Sequence, residues 1–308
     1  MTERQVFGNR MAMAADSPLA AIGFACLAGI MFVGLNTIAK YLTGTFDTVM
    51  IIWARYFFHV LVVVILFPRT VIAMSRAGQQ HIQLGRSILL LASTVCNFTA
   101  LMFLPLGEVA AIIFTSPLLV AALAMTVLGE KVSPLRWAFI AAGFVGAILI
   151  VRPGFGTFNI GAPLALGCAL AYALYQVSTR IVREAQPMVS LLYGGVVGMV
   201  ALSIVVPFFW QWPTPVQWLL MALMGSLGAF GHLLMIMALQ RAEVSRVSPF
   251  TYLQLVWAMS SSIFVFGDLP TTMTVMGAIV IVASGLALLN LDHGRAARRR
   301  RRVEGGAE

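Results

Sequence analysis

The chain has 308 residues, of which 60% are hydrophobic and 10% charged, and its formal net charge at pH 7 is +9. A soluble globular protein has roughly 45–50% apolar and about 25% charged residues, so this surplus of apolar side chains excludes a water-soluble globular chain. The composition predicts a polytopic membrane protein.

Ten apolar stretches are long enough to cross a bilayer, which takes about 20 mainly apolar residues. They cover residues 18–42, 47–67, 86–104, 107–128, 134–151, 160–183, 189–209, 216–240, 245–266 and 272–290. Proline and glycine separate them and little sequence is left for loops. We therefore predict an all-α integral membrane protein of ten transmembrane helices, without an attached soluble domain.

Lys and Arg residues gather on one side of this predicted topology. With the N-terminus inside, 17 of them lie in cytoplasmic segments, and two, Lys40 and Arg152, lie outside. Because positive residues stay on the cytoplasmic side, both termini are predicted to be cytoplasmic. The basic run Arg298–Arg302 closely follows the last span, and we interpret it as an anchor on anionic lipid rather than as a nucleic-acid patch.

The chain contains one pattern twice. Asn97 lies eleven residues before Glu108, and His232 lies eleven residues before Glu243. Each block then runs through an apolar helix to a glycine followed by an acidic residue, Gly129-Glu130 or Gly267-Asp268. The chain is therefore predicted to contain two copies of one unit.

Each copy holds five predicted spans, so the second copy must enter the membrane upside down. The predicted organisation is a cytoplasmic N-terminal tail (1–17), a first five-helix repeat (18–152), a second five-helix repeat (153–290) and a basic cytoplasmic tail (291–308). Inverted repeats are typical of transporters, because two similar halves that face opposite ways can open a central site to either side.

Polar side chains at mid-membrane depth are the candidate site, since hydrocarbon penalises them unless they face a cavity or another helix. Asn97 and His232 hold equivalent repeat positions, as do Asn36 and Gln176, and Tyr175 stands beside Gln176. Equivalent midplane positions of inverted repeats approach one central axis, which predicts a shared substrate cavity. The alternative is that these groups only hydrogen-bond helices to one another.

The ninth span is the most polar and offers Tyr252, Gln254 and Trp257 as further substrate contacts. Pro249 in that span, and Ser116 before a proline in the fourth, predict bent helices whose free carbonyls serve a site. Plain helix packing is the alternative interpretation of both prolines.

Arg55 is a full positive charge within a predicted span, and two hypotheses apply to it. It contacts a substrate carboxylate, or its long side chain snorkels to the membrane surface. Glu108 and Glu243 open helices and are interpreted as helix caps. His59 and His232 are imidazoles within spans, which makes them candidates for proton sensing.

No nucleotide-binding, zinc-protease or nucleophile-turn motif is present in the sequence, so we expect neither an enzyme nor a cofactor or metal.

The pattern resembles the drug/metabolite transporter superfamily, in its ten-helix EamA-like branch, over residues 18–290. The motifs that carry the resemblance are Gly107 to Ala110, Ser116 to Val120 and Leu128 to Glu130 in the first half, with Ala242 to Val244, Ser248 to Phe250 and Phe266 to Asp268 in the second. The chain departs from the family pattern at Leu255, often proline, and at Asp268, usually glutamate.

This resemblance implies a basket of ten helices around a central cavity lined by helices one, three, four, six, eight and nine. It also implies a bacterial-type inner (plasma) membrane location and the export or exchange of small metabolites such as amino acids.

We therefore predict a secondary transporter of small polar metabolites, amino acids or related compounds, that works by alternating access. The alternative is a membrane scaffold or assembly partner that transports nothing. The expected partners are a small-molecule substrate and the lipid bilayer, without nucleic acid. The predicted substrate contacts are Asn36, Asn97, Ser116, Tyr175, Gln176, His232, Tyr252, Gln254 and Trp257, with Arg55 as the candidate carboxylate contact.

Overall fold

The computed structural model describes residues 18–75, 80–128, 134–151, 159–181, 187–241 and 250–304, and most of these residues are helical. In chain order the helices are α1 (Pro18–Leu42), α2 (Thr48–Leu66), α3 (Arg69–Ser75), α4 (Gln80–Phe103), α5 (Leu106–Ile113), α6 (Ser116–Leu128), α7 (Pro134–Val151), α8 (Gly161–Ile181), α9 (Pro187–Val205), α10 (Pro215–Arg241), α11 (Leu253–Phe266) and α12 (Thr272–Glu304), with a 3₁₀ turn at Val206–Phe209.

Six of these helices are long and apolar enough to cross a membrane: they cover Leu19–Leu42, Thr48–Leu66, Gln80–Phe103, Gly161–Thr179, Met188–Phe209 and Pro215–Met235. Four shorter apolar stretches cover Leu106–Val120, Trp137–Val151, Leu253–Phe266 and Thr272–Ala287. Large apolar side chains such as Phe208, Trp212 and Phe264 are more than 80% exposed, as expected of surfaces that face lipid. The protein is an all-helical, multi-pass membrane protein.

The predicted fourth span is interrupted in the structure. Helix α5 ends at Ile113 and α6 begins at Ser116, and between them the Thr115 hydroxyl donates a hydrogen bond to the Ile112 carbonyl (2.8 Å). Because Pro117 has no backbone N–H, the helical hydrogen-bond ladder is broken at this point. The predicted span over 107–128 thus consists of two helices, α5 and α6, and the interruption lies beside the serine–proline pair for which the sequence predicted a bend.

Other features differ from the predicted spans or lie outside the described residues. The short helix α3 was not predicted, and α12 continues past residue 290 to Glu304. The backbone of Arg298–Arg302 is thus helical, but these side chains lie outside the described part of the structure. Pro249 and Glu243 also lie outside the described residues.

Glycines bring α2 close to α9 and α10. A Cβ added to Gly198 on α9 would lie 2.6 Å from Cδ2 of Tyr56. On α10, a Cβ added to Gly225 would collide with the Cβ of Phe58 and lie 3.0 Å from the backbone oxygen of Arg55. Only residues without a side chain permit these approaches, so the two glycines fix the depth at which Tyr56 and Arg55 sit between the helices.

The C-terminal end of α4 is closed by two side chains, which we call the α4 cap. The Lys40 ammonium donates to the carbonyls of Leu101 (2.8 Å) and Leu104 (2.7 Å). The Asn159 amide donates to the carbonyl of Phe103 (3.0 Å). A helix C-terminus has unpaired carbonyls and a partial negative charge, so a cation and an amide donor are favourable partners there.

Glu108 lies in the first turn of α5 but does not hydrogen-bond to the start of its own helix. Its Oε1 accepts a hydrogen bond from the Thr274 hydroxyl of α12 (3.0 Å). The prediction that Glu108 caps its own helix is therefore wrong, because its carboxylate accepts from a neighbouring helix. The sequence pattern did not predict that α12 lies beside α5.

Candidate functional site

The two predicted asparagines meet between α1 and α4. Asn97 Nδ2 donates to Asn36 Oδ1 (2.8 Å), and Asn36 Nδ2 donates to the carbonyl of Phe32 (2.9 Å). Both side chains are half-buried. This hydrogen bond joins two candidate membrane spans, as the alternative interpretation, a role in helix packing alone, requires. Both amides nevertheless remain partly accessible, as a substrate contact requires.

Arg55 of α2 points into the helix bundle. Its side chain is 6% exposed, Nη1 donates to the Thr94 hydroxyl of α4 (3.3 Å), and its guanidinium carbon lies 4.6 Å from the centre of the Tyr56 ring. The Tyr56 hydroxyl shares the same Thr94 oxygen (2.9 Å). These contacts overturn the snorkelling hypothesis, because a guanidinium held on a neighbouring span does not reach the membrane surface.

His232 of α10 lies between α1 and α2. Its ring meets that of Phe32 edge-on at 5.0 Å between centroids, and that of His59 at 6.2 Å. His59 is one helical turn after Arg55 and is 4% exposed. The two imidazoles that the sequence offered as proton sensors are therefore neighbours.

These contacts connect four candidate spans into one group. Arg55 joins α2 to α4 through Thr94, Asn97 joins α4 to α1, Phe32 joins α1 to α10, and His232 joins α10 back to α2 at His59. We call this group the central ring; its members are Arg55, Thr94, Asn97, Asn36, Phe32, His232 and His59.

Arg86 is a buried cation that sequence reasoning missed. It is 3% exposed, Nη2 donates to the carbonyl of Ser190 (2.7 Å), Nη1 donates to the Thr179 hydroxyl (3.2 Å), and the guanidinium carbon lies 5.1 Å from the centre of the Tyr175 ring. From its place in the sequence, Arg86 is predicted to be a cytoplasmic topology residue at the start of a span. The helix begins earlier, at Gln80, which carries Arg86 into the contact of α4 with α8 and α9.

A signal for Arg86 exists in the sequence. Polar residues recur on α4 at helical spacing, at Gln83, Ser87, Thr94 and Asn97, and Arg86 is three residues after the first of them. Gln83 and Ser87 are fully buried, and Thr94 is 5% exposed. A polar stripe on an otherwise apolar helix indicates a face turned toward the protein interior.

The other predicted contacts lie apart from the central ring. The Tyr175 ring stacks on Tyr172 (5.8 Å), and Gln176 beside it is half-buried. Ser116 is buried at the start of α6, and Tyr252, 6% exposed, packs on Phe114 (5.4 Å).

Gln254 and Trp257 pack against α1 at Gly29. A Cβ added to that glycine would lie 3.5 Å from the Gln254 Cβ and 2.9 Å from the Trp257 ring. Gly29 is three residues before Phe32, so these two side chains contact α1 about one turn from the central ring.

The central ring contains one guanidinium, that of Arg55, and two neighbouring imidazoles. Of the described carboxylates, Asp47 accepts from the backbone N–H of Val49 at the start of α2 and Glu108 accepts from Thr274. Within the described ranges, three or more His, Cys, Asp or Glu side chains do not come together as a metal site would need.

Amides and cations enclosed by apolar, membrane-crossing helices are the construction of a membrane transport protein, since such groups inside a bilayer mark the path of a polar cargo. Comparison of the sequence with protein families agrees. The EamA-like transporter family matches twice, over residues 19–152 and 159–291. The chain belongs to this family, and it is a transporter rather than an enzyme.

Three characterised relatives are similar along most of the chain. They are an S-adenosylmethionine uptake transporter of Rickettsia prowazekii (24% identical, covering 82% of this chain and 87% of the relative), a riboflavin transporter of Rhizobium johnstonii (27%, covering 93% and 97%) and a pseudopaline exporter of Pseudomonas aeruginosa (22%, covering 92% and 100%). A solved crystal structure of another protein has a TM-score of 0.66 at 18% identity, covering 91% of this chain and 99% of the other, and so shares the fold.

Proposed function

We propose that the chain is a secondary transporter of small polar metabolites, amino acids or related compounds, and that it works by alternating access. In this proposal ten segments cross the membrane as two inverted five-helix repeats, 18–152 and 153–290, with both termini in the cytoplasm of a bacterial-type cell. The double family match and the sum of six long and four shorter apolar stretches support this count. The basic tail supports the orientation.

The arrangement of residues in the central ring is the main observation that supports the proposal. Asn36, Arg55 and Asn97 come from the first half of the chain and His232 comes from the second, and the ring joins them. A polar group built jointly by two repeats is where a transporter of this construction binds substrate, because relative movement of the halves then opens the same site to either side.

The relatives narrow the cargo to a class. Their names cover S-adenosylmethionine, riboflavin and pseudopaline, all small polar compounds, and include one uptake transporter and one exporter. We propose export or exchange for this chain.

Transport by purified protein in liposomes tests the proposal. Uptake and counterflow of radiolabelled S-adenosylmethionine, riboflavin and a panel of amino acids are measured for wild type, Asn97→Ala and His232→Ala. Both variants should lose transport while keeping a monodisperse size-exclusion profile. Ser226→Ala is the matched control, since its hydroxyl donates to the Ala222 carbonyl of its own helix, and it should transport as wild type. If both ring variants transport normally, the site assignment is wrong.

The alternative function, a scaffold without transport, makes an opposite prediction for solvent access. Asn97→Cys in a background without native cysteines should react with a water-soluble thiol reagent if the ring lines a cavity. Protection of this cysteine under every condition favours the scaffold.

A further inference from the structure

Arg55 is a buried charge whose hydrogen bonds are incomplete. Nη1 has the neutral Thr94 hydroxyl at 3.3 Å, a long contact, and the Tyr56 ring offers only its face. Its Nε is buried and lacks a hydrogen-bond acceptor among the residues that the structure describes. Burial of a charge without a charged partner costs several kcal/mol, so a protein keeps such a group where a ligand completes it.

The neighbouring groups add donors and no negative charge. The His59 ring is also buried, with Nε2 toward Gly195 of α9 and Nδ1 toward Gly228 of α10. Of the described carboxylates, Asp47 accepts from Val49 and Glu108 accepts from Thr274, and Asp268 lies beside Glu108. The described contacts of Arg55 are therefore with neutral groups, the Thr94 hydroxyl and the Tyr56 ring.

Gly228 of α10 packs against Arg55 and His59 of α2. A Cβ added to Gly228 would lie 4.0 Å from Arg55 Nε, 3.9 Å from His59 Nδ1 and 3.0 Å from Leu35 Cδ1. One nitrogen of Arg55 and one of His59 thus face the same glycine of α10, beside Leu35 of α1. Four residues further along α10, the His232 ring lies 6.2 Å from the His59 ring.

We infer that Arg55, His59 and His232 form a subsite for an anionic oxygen group of the transported compound, a carboxylate above all. A guanidinium binds a carboxylate through charge-assisted hydrogen bonds, and imidazole N–H groups add further donors. The inference rests on the proposed function, because it assigns one chemical group of the cargo to one part of the central ring. His59 enters as a binding residue that the sequence analysis did not place in the site.

Charged thiol reagents test the subsite without knowledge of the cargo. Gly228→Cys is made in a background in which Cys26, Cys96 and Cys168 are replaced, and the protein is reconstituted in liposomes of zwitterionic lipid. The rates of reaction with an anionic sulfonate methanethiosulfonate and with a cationic trimethylammonium methanethiosulfonate are compared, first with Arg55 present and then with Arg55→Gln. The ratio of anionic to cationic rate should fall on the order of tenfold when the charge is removed.

Asn97→Cys, about one turn from Thr94, serves as a second reporter if Leu35 prevents Gly228→Cys from folding. An equal rate ratio with and without Arg55 overturns the inference, and so does a folded reporter that reacts with neither reagent. The labelling needs no transport. A protein that carries compounds but shows no charge preference therefore fails the subsite alone, whereas a charge preference without transport fails the proposed function.

A second experiment uses the transported compound itself. For any acid that wild type carries, conversion of its carboxylate to the amide should lower transport on the order of tenfold, and Arg55→Gln should make acid and amide equal. Wild-type transport of acid and amide at the same rate contradicts the inference.

Discussion

Arg55 and Lys40 are both cations on candidate membrane spans, and their surroundings differ. In the α4 cap the Lys40 ammonium has two backbone carbonyls at 2.7 and 2.8 Å at the negative end of a helix. In the central ring the Arg55 guanidinium has one neutral hydroxyl at 3.3 Å and a buried nitrogen without an acceptor in the described residues. A cation with its hydrogen bonds complete holds helices together, and one with bonds missing is ready for a ligand.

The largest expected effect comes from giving Arg55 a partner of its own. In Thr94→Asp the new carboxylate replaces the hydroxyl that accepts from Arg55 Nη1. It should therefore form an ion pair with the guanidinium and compete with the cargo. Transport should fall on the order of tenfold or more, and the free energy of unfolding should rise by about 3 kcal/mol, because an unpaired buried charge becomes a pair.

Thr94→Asn is the matched comparison, since it differs from the aspartate variant only in charge. Liposome transport and thermal unfolding in detergent are measured for both. If the aspartate variant transports as well as the asparagine variant, Arg55 is not a cargo contact. Arg55 would then be a structural cation, as Lys40 is in the α4 cap.

Removal of the cation from the α4 cap should weaken the fold. Lys40→Met leaves the carbonyls of Leu101 and Leu104 without their donor, which should lower the free energy of unfolding by about 2 kcal/mol. Lys40→Arg keeps a donor in place and should lose less. Thermal unfolding in detergent measures both variants. Equal stability of Lys40→Met and wild type means that the cap is not structural.

The smallest expected effect concerns the hydrogen bond that the Thr274 hydroxyl donates to the Glu108 carboxylate. A double-mutant cycle with Glu108→Ala and Thr274→Val should give a coupling energy of about 1 kcal/mol, as for a single interhelical hydrogen bond. Denaturant or thermal unfolding of the four proteins provides the cycle. Additive effects of the two substitutions show that the carboxylate does not depend on its threonine.

Much of the fold could be predicted from the sequence, because a membrane span is a long apolar run. The prediction for residues 18–42 coincides with α1, and 134–151 coincides with α7. The proline at 117 predicted the bend near Thr115. The extension of α12 past residue 290 was missed, because it runs through polar sequence that a hydropathy pattern excludes.

The site was harder to predict, because repeat symmetry gives the depth of a residue and not its neighbours. Asn97 and His232 were paired as equivalents, whereas the structure bonds Asn97 to Asn36 and sets His232 against Phe32 and His59. Arg86 was assigned by counting charge, which ignores the polar stripe of its own helix. Direct contacts between helices depend on packing angles and glycine positions, neither of which a hydropathy pattern records.

Under the proposed alternating-access cycle, the unpaired charge of Arg55 would also couple transport to the membrane voltage. When the site faces one side and then the other, an empty carrier presents a net positive site to the electric field, whereas a carrier loaded with a monoanion presents a neutral one. A full charge that crosses the whole field does electrical work of about 2.3 kcal/mol per 100 mV. An inside-negative membrane potential should therefore shift the conformational equilibrium of the empty carrier and leave that of the loaded carrier nearly unchanged. The voltage would then determine which side of the membrane the empty site faces.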